Sequence, residues 1–192
     1  MSAAVQIVHP QSASESKTSY QIRPAMNIAL WMLQVVWGAA FCISGFGKLM
    51  CFNADIWNRT LHQPVPWFSA IPQGLFVFIG ASEFVGGVGL ILPAMTRVKP
   101  KLTPFAAIAL TLVMVLAALF HVVRGGEYNF VRLNLLSVGI TAFIAYGRLL
   151  VRPIAPMSIS TFRLLSGLAV LAALVFVSAA PVWYWYMLSH TH

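Results

Sequence analysis

Charge is what this sequence has least of. Only 8% of its 192 residues are charged, against roughly 25% in a soluble domain. Acid is scarcer than base: four Asp and Glu stand against twelve Lys and Arg. Cysteine is nearly absent. Cys42 and Cys51 are nine residues apart, or about 13 Å along a helix. That is too far for a disulfide without local unwinding, and it is not the spacing of a C-x-x-C redox pair. Both read as unpaired small apolar side chains. A phosphate-binding glycine loop, a Ser-His-Asp set and a zinc-protease helix are all missing. Of the five histidines only His121 falls inside an apolar run. The chain therefore cannot ligate a bis-histidine haem alone, and the pattern shows no metal cluster.

What is there is apolar. Hydrophobic residues make up 59% of the chain, and the mean hydropathy is +0.82. Spanning a bilayer takes about 20 apolar residues, and five runs reach that length: 26–49, 73–95, 102–123, 131–150 and 162–188. They lack the alternation of barrel strands, so helix is the conformation that satisfies the backbone in lipid. The fold class is all-α, an integral membrane helical bundle. Thr103 and Pro104 suit the N-cap and first-turn positions of the third helix. Residues 1–25, polar and rich in Ser and Gln, read as a disordered tail. The first run is too long for a signal peptide and reads as an uncleaved anchor. Residues 151–192 hold a linker and the fifth helix.

The net charge of +8 does not indicate nucleic acid. The cations sit at the ends of the apolar runs, where they set orientation and meet lipid head groups. Lys17, Arg23, Arg97, Lys99, Lys101, Arg148, Arg152 and Arg163 fall on the amino-terminal side of the bundle, and Lys48, Arg59, Arg124 and Arg132 on the other. This eight-to-four bias predicts a cytoplasmic amino terminus and an external carboxyl terminus. Trp183, Tyr184, Trp185 and Tyr186 would then form an aromatic belt at the outer interface. The longest connection, residues 51–71, carries Trp57, Trp67, Pro64, Pro66 and an Asp55/Arg59 pair at i,i+4 spacing. It reads either as a segment lying on the membrane surface or as an ordinary loop with interface-seeking tryptophans.

Ionisable side chains inside a span are costly, about 2.5–3.5 kcal/mol on insertion scales, so the few present carry the information. Glu83 stands mid-span among Gly80, Ala81, Ser82, Gly86 and Gly87, small residues that let another helix approach. At 1.5 Å per residue, Glu83 and Asn134 each lie about 21 Å from the basic residues at the amino-terminal side, His121 about 30 Å and Lys48 about 37 Å. One polar residue from each of the first four helices thus falls in the outer half, as bundle sites are built. The competing reading is structural: interhelical hydrogen bonds of about 0.6 kcal/mol each, with Lys48 and Arg132 snorkelling to the interface.

Several short segments have a familiar order. They are Ser44-Gly45-Phe46-Gly47-Lys48-Leu49, then Glu83 with Gly86-Gly87 and Gly89-Leu90-Ile91-Leu92-Pro93, then Ala117-Ala118-Leu119-Phe120-His121 with Arg124-Gly125-Gly126-Glu127, and finally Arg132 with Asn134. In this order the chain resembles the DoxX-like family of small bacterial membrane proteins. The resemblance implies a four-helix membrane domain over residues 26–150, to which the run at 162–188 adds a fifth helix, and it implies the bacterial cytoplasmic membrane. It also implies association with a membrane redox complex, since the family takes its name from a small subunit of a membrane quinone oxidoreductase.

Two functions follow. In the first the chain is an accessory subunit of a quinone-linked redox complex. His121 and Lys48 would hydrogen-bond the quinone and Glu83 would relay protons, while a partner subunit supplies the electron carrier. In the second it is a non-catalytic scaffold, assembly factor or small-solute pathway. The small-residue pairs Ser82/Gly86 and Ala169/Ala173 would then dock a partner helix. Neither reading fixes the oligomeric state. The topology has its own test. A cysteine introduced at Ser189 should react with an impermeant reagent from outside, and one at Pro100 only after the membrane is opened; the reverse pattern would invert the charge-based orientation.

Overall fold

The computed structural model describes residues 10–65, 67–125, 127–158 and 160–188. They form six helices: α1 (Pro10–Met50), α2 (Ala54–Leu61), α3 (Gln73–Thr96), α4 (Leu102–Arg124), α5 (Tyr128–Tyr146) and α6 (Thr161–Leu188). Among the described residues there is no strand. A 3-10 turn at Phe68–Ala70 follows α2, and α5 runs on into one π-helical turn, Gly147–Val151. Five segments are long and apolar enough to cross a membrane: Pro24–Met50, Gln73–Thr96, Leu102–Arg124, Tyr128–Val151 and Thr161–Pro181. With 21 to 27 residues each, they rise about 31–40 Å, enough for a hydrocarbon core of about 30 Å. The chain is a multi-pass helical membrane bundle.

Three local expectations change. α1 is helical from Pro10, whereas the polar composition before residue 26 predicts a disordered tail. Ser and Gln can prolong a helix already nucleated by an apolar span, and Pro24 lies inside it. Residues 1–9 are outside the described part, as are the side chains of residues 183–186, expected as a belt. α4 is capped at Lys101, not Thr103. The loop at 51–71 contains a true helix, α2, whose start is fixed by Asn53: its Oδ1 accepts hydrogen bonds from the backbone N–H groups of Asp55 and Ile56.

Lipid gives apolar helices no hydrophobic reason to associate, so packing and polar contacts decide their neighbours. The closest contact is α1 against α3. A Cβ added at Gly45 would come within 2.6 Å of the Gly80 carbonyl oxygen, and one at Gly80 within 2.8 Å of the Gly45 carbonyl oxygen. Two turns away, a Cβ at Gly87 would lie 2.6 Å from the Gly38 carbonyl oxygen. Two glycine pairs seven residues apart on each helix therefore bring the antiparallel backbones together. α3 meets α4 where Gly86 lies under Leu110. α4 meets α5 through the Thr111–Thr141 hydroxyl bond at 2.8 Å. α5 returns to α1 through Trp37 Nε1, which donates to Ser137 Oγ at 3.3 Å. The four helices enclose a core of Phe41, Leu90, Ile91, Leu110, Met114 and Ile144. α6 lies outside this core against α1 and α3, with Gly167 over Thr96.

The glycine seam makes a direct prediction. Gly80→Val must push α1 and α3 apart and should cost about 1–3 kcal/mol, read as a lower melting temperature in detergent. Gly47 has open space around its missing Cβ. Gly47→Ala should therefore leave the melting temperature unchanged or raise it, because alanine favours helix by about 0.5–1 kcal/mol.

Candidate functional site

Two polar clusters form at the end of the bundle that carries α2. The first joins α1 to α3. Lys48 Nζ donates to Glu83 Oε2 at 2.6 Å and to Ser44 Oγ at 2.6 Å, while Ser44 Oγ donates to the same Glu83 oxygen at 2.8 Å. Glu83 is 5% exposed, so it faces the bundle and not lipid. The close approach at Gly80 makes the pair possible, because that glycine lies under the Lys48 Cβ. A lone carboxylate at this depth would be costly; the ammonium and hydroxyl offset its desolvation.

The second cluster closes the turn from α4 to α5. His121 is 5% exposed, and its Nδ1 lies 2.5 Å from Glu127 Oε2. Arg124 Nε donates to the other Glu127 oxygen at 3.2 Å. Burial opposes ionisation of Glu127, but the hydrogen bonds and charges of His121 and Arg124 outweigh it and hold the carboxyl below its ordinary range. An ionised carboxylate can only accept, so His121 Nδ1 is the donor in this bond.

Aromatic rings wall this histidine. Phe130 stacks on it at 5.0 Å, and Trp67 and Phe120 meet it edge-on at 5.6 and 5.3 Å. Trp67 also reaches Phe76 of α3, which packs in turn on Trp57 of α2. The connection at 51–71, read from sequence either as a membrane-surface segment or as an ordinary loop, is anchored onto the bundle end through its two tryptophans. Trp67 Nε1 is buried with no hydrogen-bond partner.

The structure thus brings together two of the residues singled out in the sequence, Lys48 and Glu83, and gives His121 a different partner, Glu127. Asn134 is half-buried and bonds to neither Glu83 nor His121. Ser44 and Glu127 are participants the sequence reading missed, although Ser44 is one turn before Lys48 and Glu127 is six residues after His121. Both cysteines are free and buried. Burial pushes the Cys51 thiol up, more than Thr60 and Lys48 pull it down, which makes it a poor nucleophile. Among the described residues no group of three or more His, Cys, Asp or Glu could hold a metal ion.

The family model of the DoxX-like family matches residues 32–145, the stretch that holds the glycine seam and both polar clusters. The chain belongs to the DoxX-like family. Neither the search of curated proteins nor that of solved structures finds a match. In this DoxX-like protein α6, the fifth of the long apolar spans, lies beyond the matched region.

The Lys48–Glu83 pair can be tested by separating charge from shape. Glu83→Leu leaves the ammonium with only Ser44, and losing one partner of a buried pair costs about 3–5 kcal/mol. Lys48 is 16% exposed along its side chain and can snorkel, which favours the lower end. Glu83→Gln keeps an acceptor and should cost less. Lys48→Leu combined with Glu83→Leu should recover most of the loss. Melting of the four proteins in detergent checks this order; a Glu83→Leu variant more stable than wild type would contradict it.

Proposed function

We propose that this DoxX-like protein is an accessory, quinone-linked subunit of a membrane redox complex in the bacterial cytoplasmic membrane, with its amino terminus in the cytoplasm. The observation that carries the reading is His121: a buried imidazole fixed by a carboxylate at Nδ1 and walled by Trp67, Phe120 and Phe130. A quinone is a flat apolar ring with two carbonyl acceptors, and aromatic walls with one oriented donor suit it. Protonated, His121 donates from Nε2 to a carbonyl; neutral, it accepts from a hydroxyl. A bound quinone would supply the two-electron chemistry, with electrons from a partner subunit. The Lys48–Glu83 pair would hold a proton at the α1–α3 face.

A second reading, a non-catalytic scaffold, rests on α6. It is the least buried of the five spans, and Ala169 and Ala173 are exposed on it, a surface open to a partner helix. The other small-residue pair is not available, since Ser82 bonds the Phe78 carbonyl of its own helix and Gly86 packs on Leu110.

Quinone extraction from the detergent-purified protein separates the readings. Wild type should carry quinone, His121→Leu at least tenfold less, and Glu127→Gln an intermediate amount; redox-enzyme subunits should co-purify. No quinone at any stoichiometry, with unchanged respiration in a deletion strain, sinks the redox reading. Chaperones alone as partners favour the scaffold.

A further inference from the structure

The opposite end of the bundle holds a cavity of about 520 Å³ whose lining includes Asn27, Trp31, Arg97, Arg148, Arg152 and Ile154. Three of these side chains are guanidiniums, and none is an acid. The key residue is Arg148, on the π-helical turn that ends the fourth span. It is 4% exposed. Its Nε donates to Gln34 Oε1 at 2.5 Å and its Nη1 to Asn27 Oδ1 at 2.9 Å. The guanidinium lies over the Trp31 ring at 5.0 Å. Gln34 is itself locked, because its Nε2 donates to the Leu90 carbonyl at 2.9 Å, which turns its oxygen towards Arg148. The third nitrogen, Nη2, is buried and has no partner.

Two neutral amides therefore orient this arginine without neutralising it. A buried charge is normally paired, and this chain has few acids with which to do so. Asp55, Glu83 and Glu127 are all at the α2 end, two of them in the clusters already described. Glu15 precedes Asn27 by twelve residues of helix, about 18 Å along the axis. The arginine also completes the carbonyl-rich end of α5, as cations do at helix carboxyl ends. That role needs no second and third guanidinium, no unfilled donor and no cavity.

We propose that this cavity is a binding site for a phosphate-bearing anion, held by the free Nη2 edge of Arg148 with Arg97 and Arg152. Planar guanidinium forks match phosphate oxygens. Trp31 and Ile154 give the cavity an apolar wall, and its volume exceeds that of a bare phosphate. The same chemistry serves the head group of an anionic phospholipid or a soluble phosphate compound. The site is independent of the redox reading, which concerns the other end of the bundle.

The test is ligand-dependent melting of the full chain in detergent. One arm titrates inorganic phosphate against chloride at equal ionic strength. The other titrates phosphatidylglycerol against phosphatidylcholine in the micelle. At least one anion should raise the melting temperature of the wild type. Arg97→Gln combined with Arg152→Gln leaves the Arg148 clamp in place and should weaken the apparent affinity at least tenfold. Lys99→Gln combined with Lys101→Gln removes the same charge from exposed positions nearby and should change it less than twofold. A response to phosphatidylglycerol alone identifies a lipid head group, and a response to phosphate identifies a soluble ligand. No response in either arm overturns the site. So does a response that the arginine pair leaves intact, or one that the lysine pair weakens equally.

Discussion

The bundle depends on how closely α1 and α3 approach. Water would drive two apolar helices together, but lipid does not, so the contact must come from backbone surfaces that fit. Gly38 and Gly45 on one helix face Gly87 and Gly80 on the other, and a Cβ at Gly45, Gly80 or Gly87 would collide with the carbonyl oxygen opposite. This seam fixes axial register as well as distance. Gly80 lies under the Lys48 Cβ, and from there the lysine reaches Glu83, almost one turn further along α3. The ion pair is a consequence of the seam. Without the close approach, two desolvated charges would stand apart, at a cost no lipid-facing contact offsets.

The two ends of the bundle treat charge in opposite ways. At the α2 end each buried carboxyl is matched: Glu83 by Lys48 and Ser44, Glu127 by His121 and Arg124. Aromatic rings pack over Glu127's partner His121 and link it to α2 through Trp67 and Phe76. Charges paired in this way rigidify and orient; they carry little net field. At the other end Arg97, Arg148 and Arg152 gather around one cavity with no acid in its lining. With only four acids in the chain and three of them at the α2 end, the other end is strongly basic.

The spans were legible because length and composition alone decide them, and the family resemblance was legible because its short motifs sit at corresponding span ends. The pairing of side chains was not. Counting residues from a span end gives depth but not direction around the helix. Glu83 and Asn134 lie at equal depth, yet Glu83 turns to α1 and Lys48, which depth alone placed far from it. The count from Arg23 places Lys48 too deep: its Cβ meets Gly80, three residues from Glu83, and the flexible lysine stem covers the rest. α2 was hidden for a different reason. It has eight residues, too few for a periodic signal, and its one tryptophan, Trp57, looks the same on a lipid surface as in an aromatic cap. The small-residue rule was right at Gly80 and Gly87, where α1 approaches, but it did not show that Gly86 is taken up by Leu110 of α4 inside the bundle, while Ala169 and Ala173 are exposed.

Arg148 shows most clearly what a charge count leaves out. In the sequence it is one of eight cations that set topology, equivalent to Lys99 or Lys101. In the fold it is buried while those two are exposed. The choice of its partners decides what it can do. A carboxylate in place of Asn27 or Gln34 would form a neutral pair, and the guanidinium would become a structural clamp with no field beyond it. Amide oxygens are weaker acceptors that leave the unit charge in place. They fix the plane of the fork and keep Nη2 free, and the lock of Gln34 onto the Leu90 carbonyl prevents the amide from turning its donor towards the arginine. A neutral scaffold around an oriented cation spends stability to keep a charge. Such an arrangement is consistent with a site where the missing counter-charge comes from outside the chain.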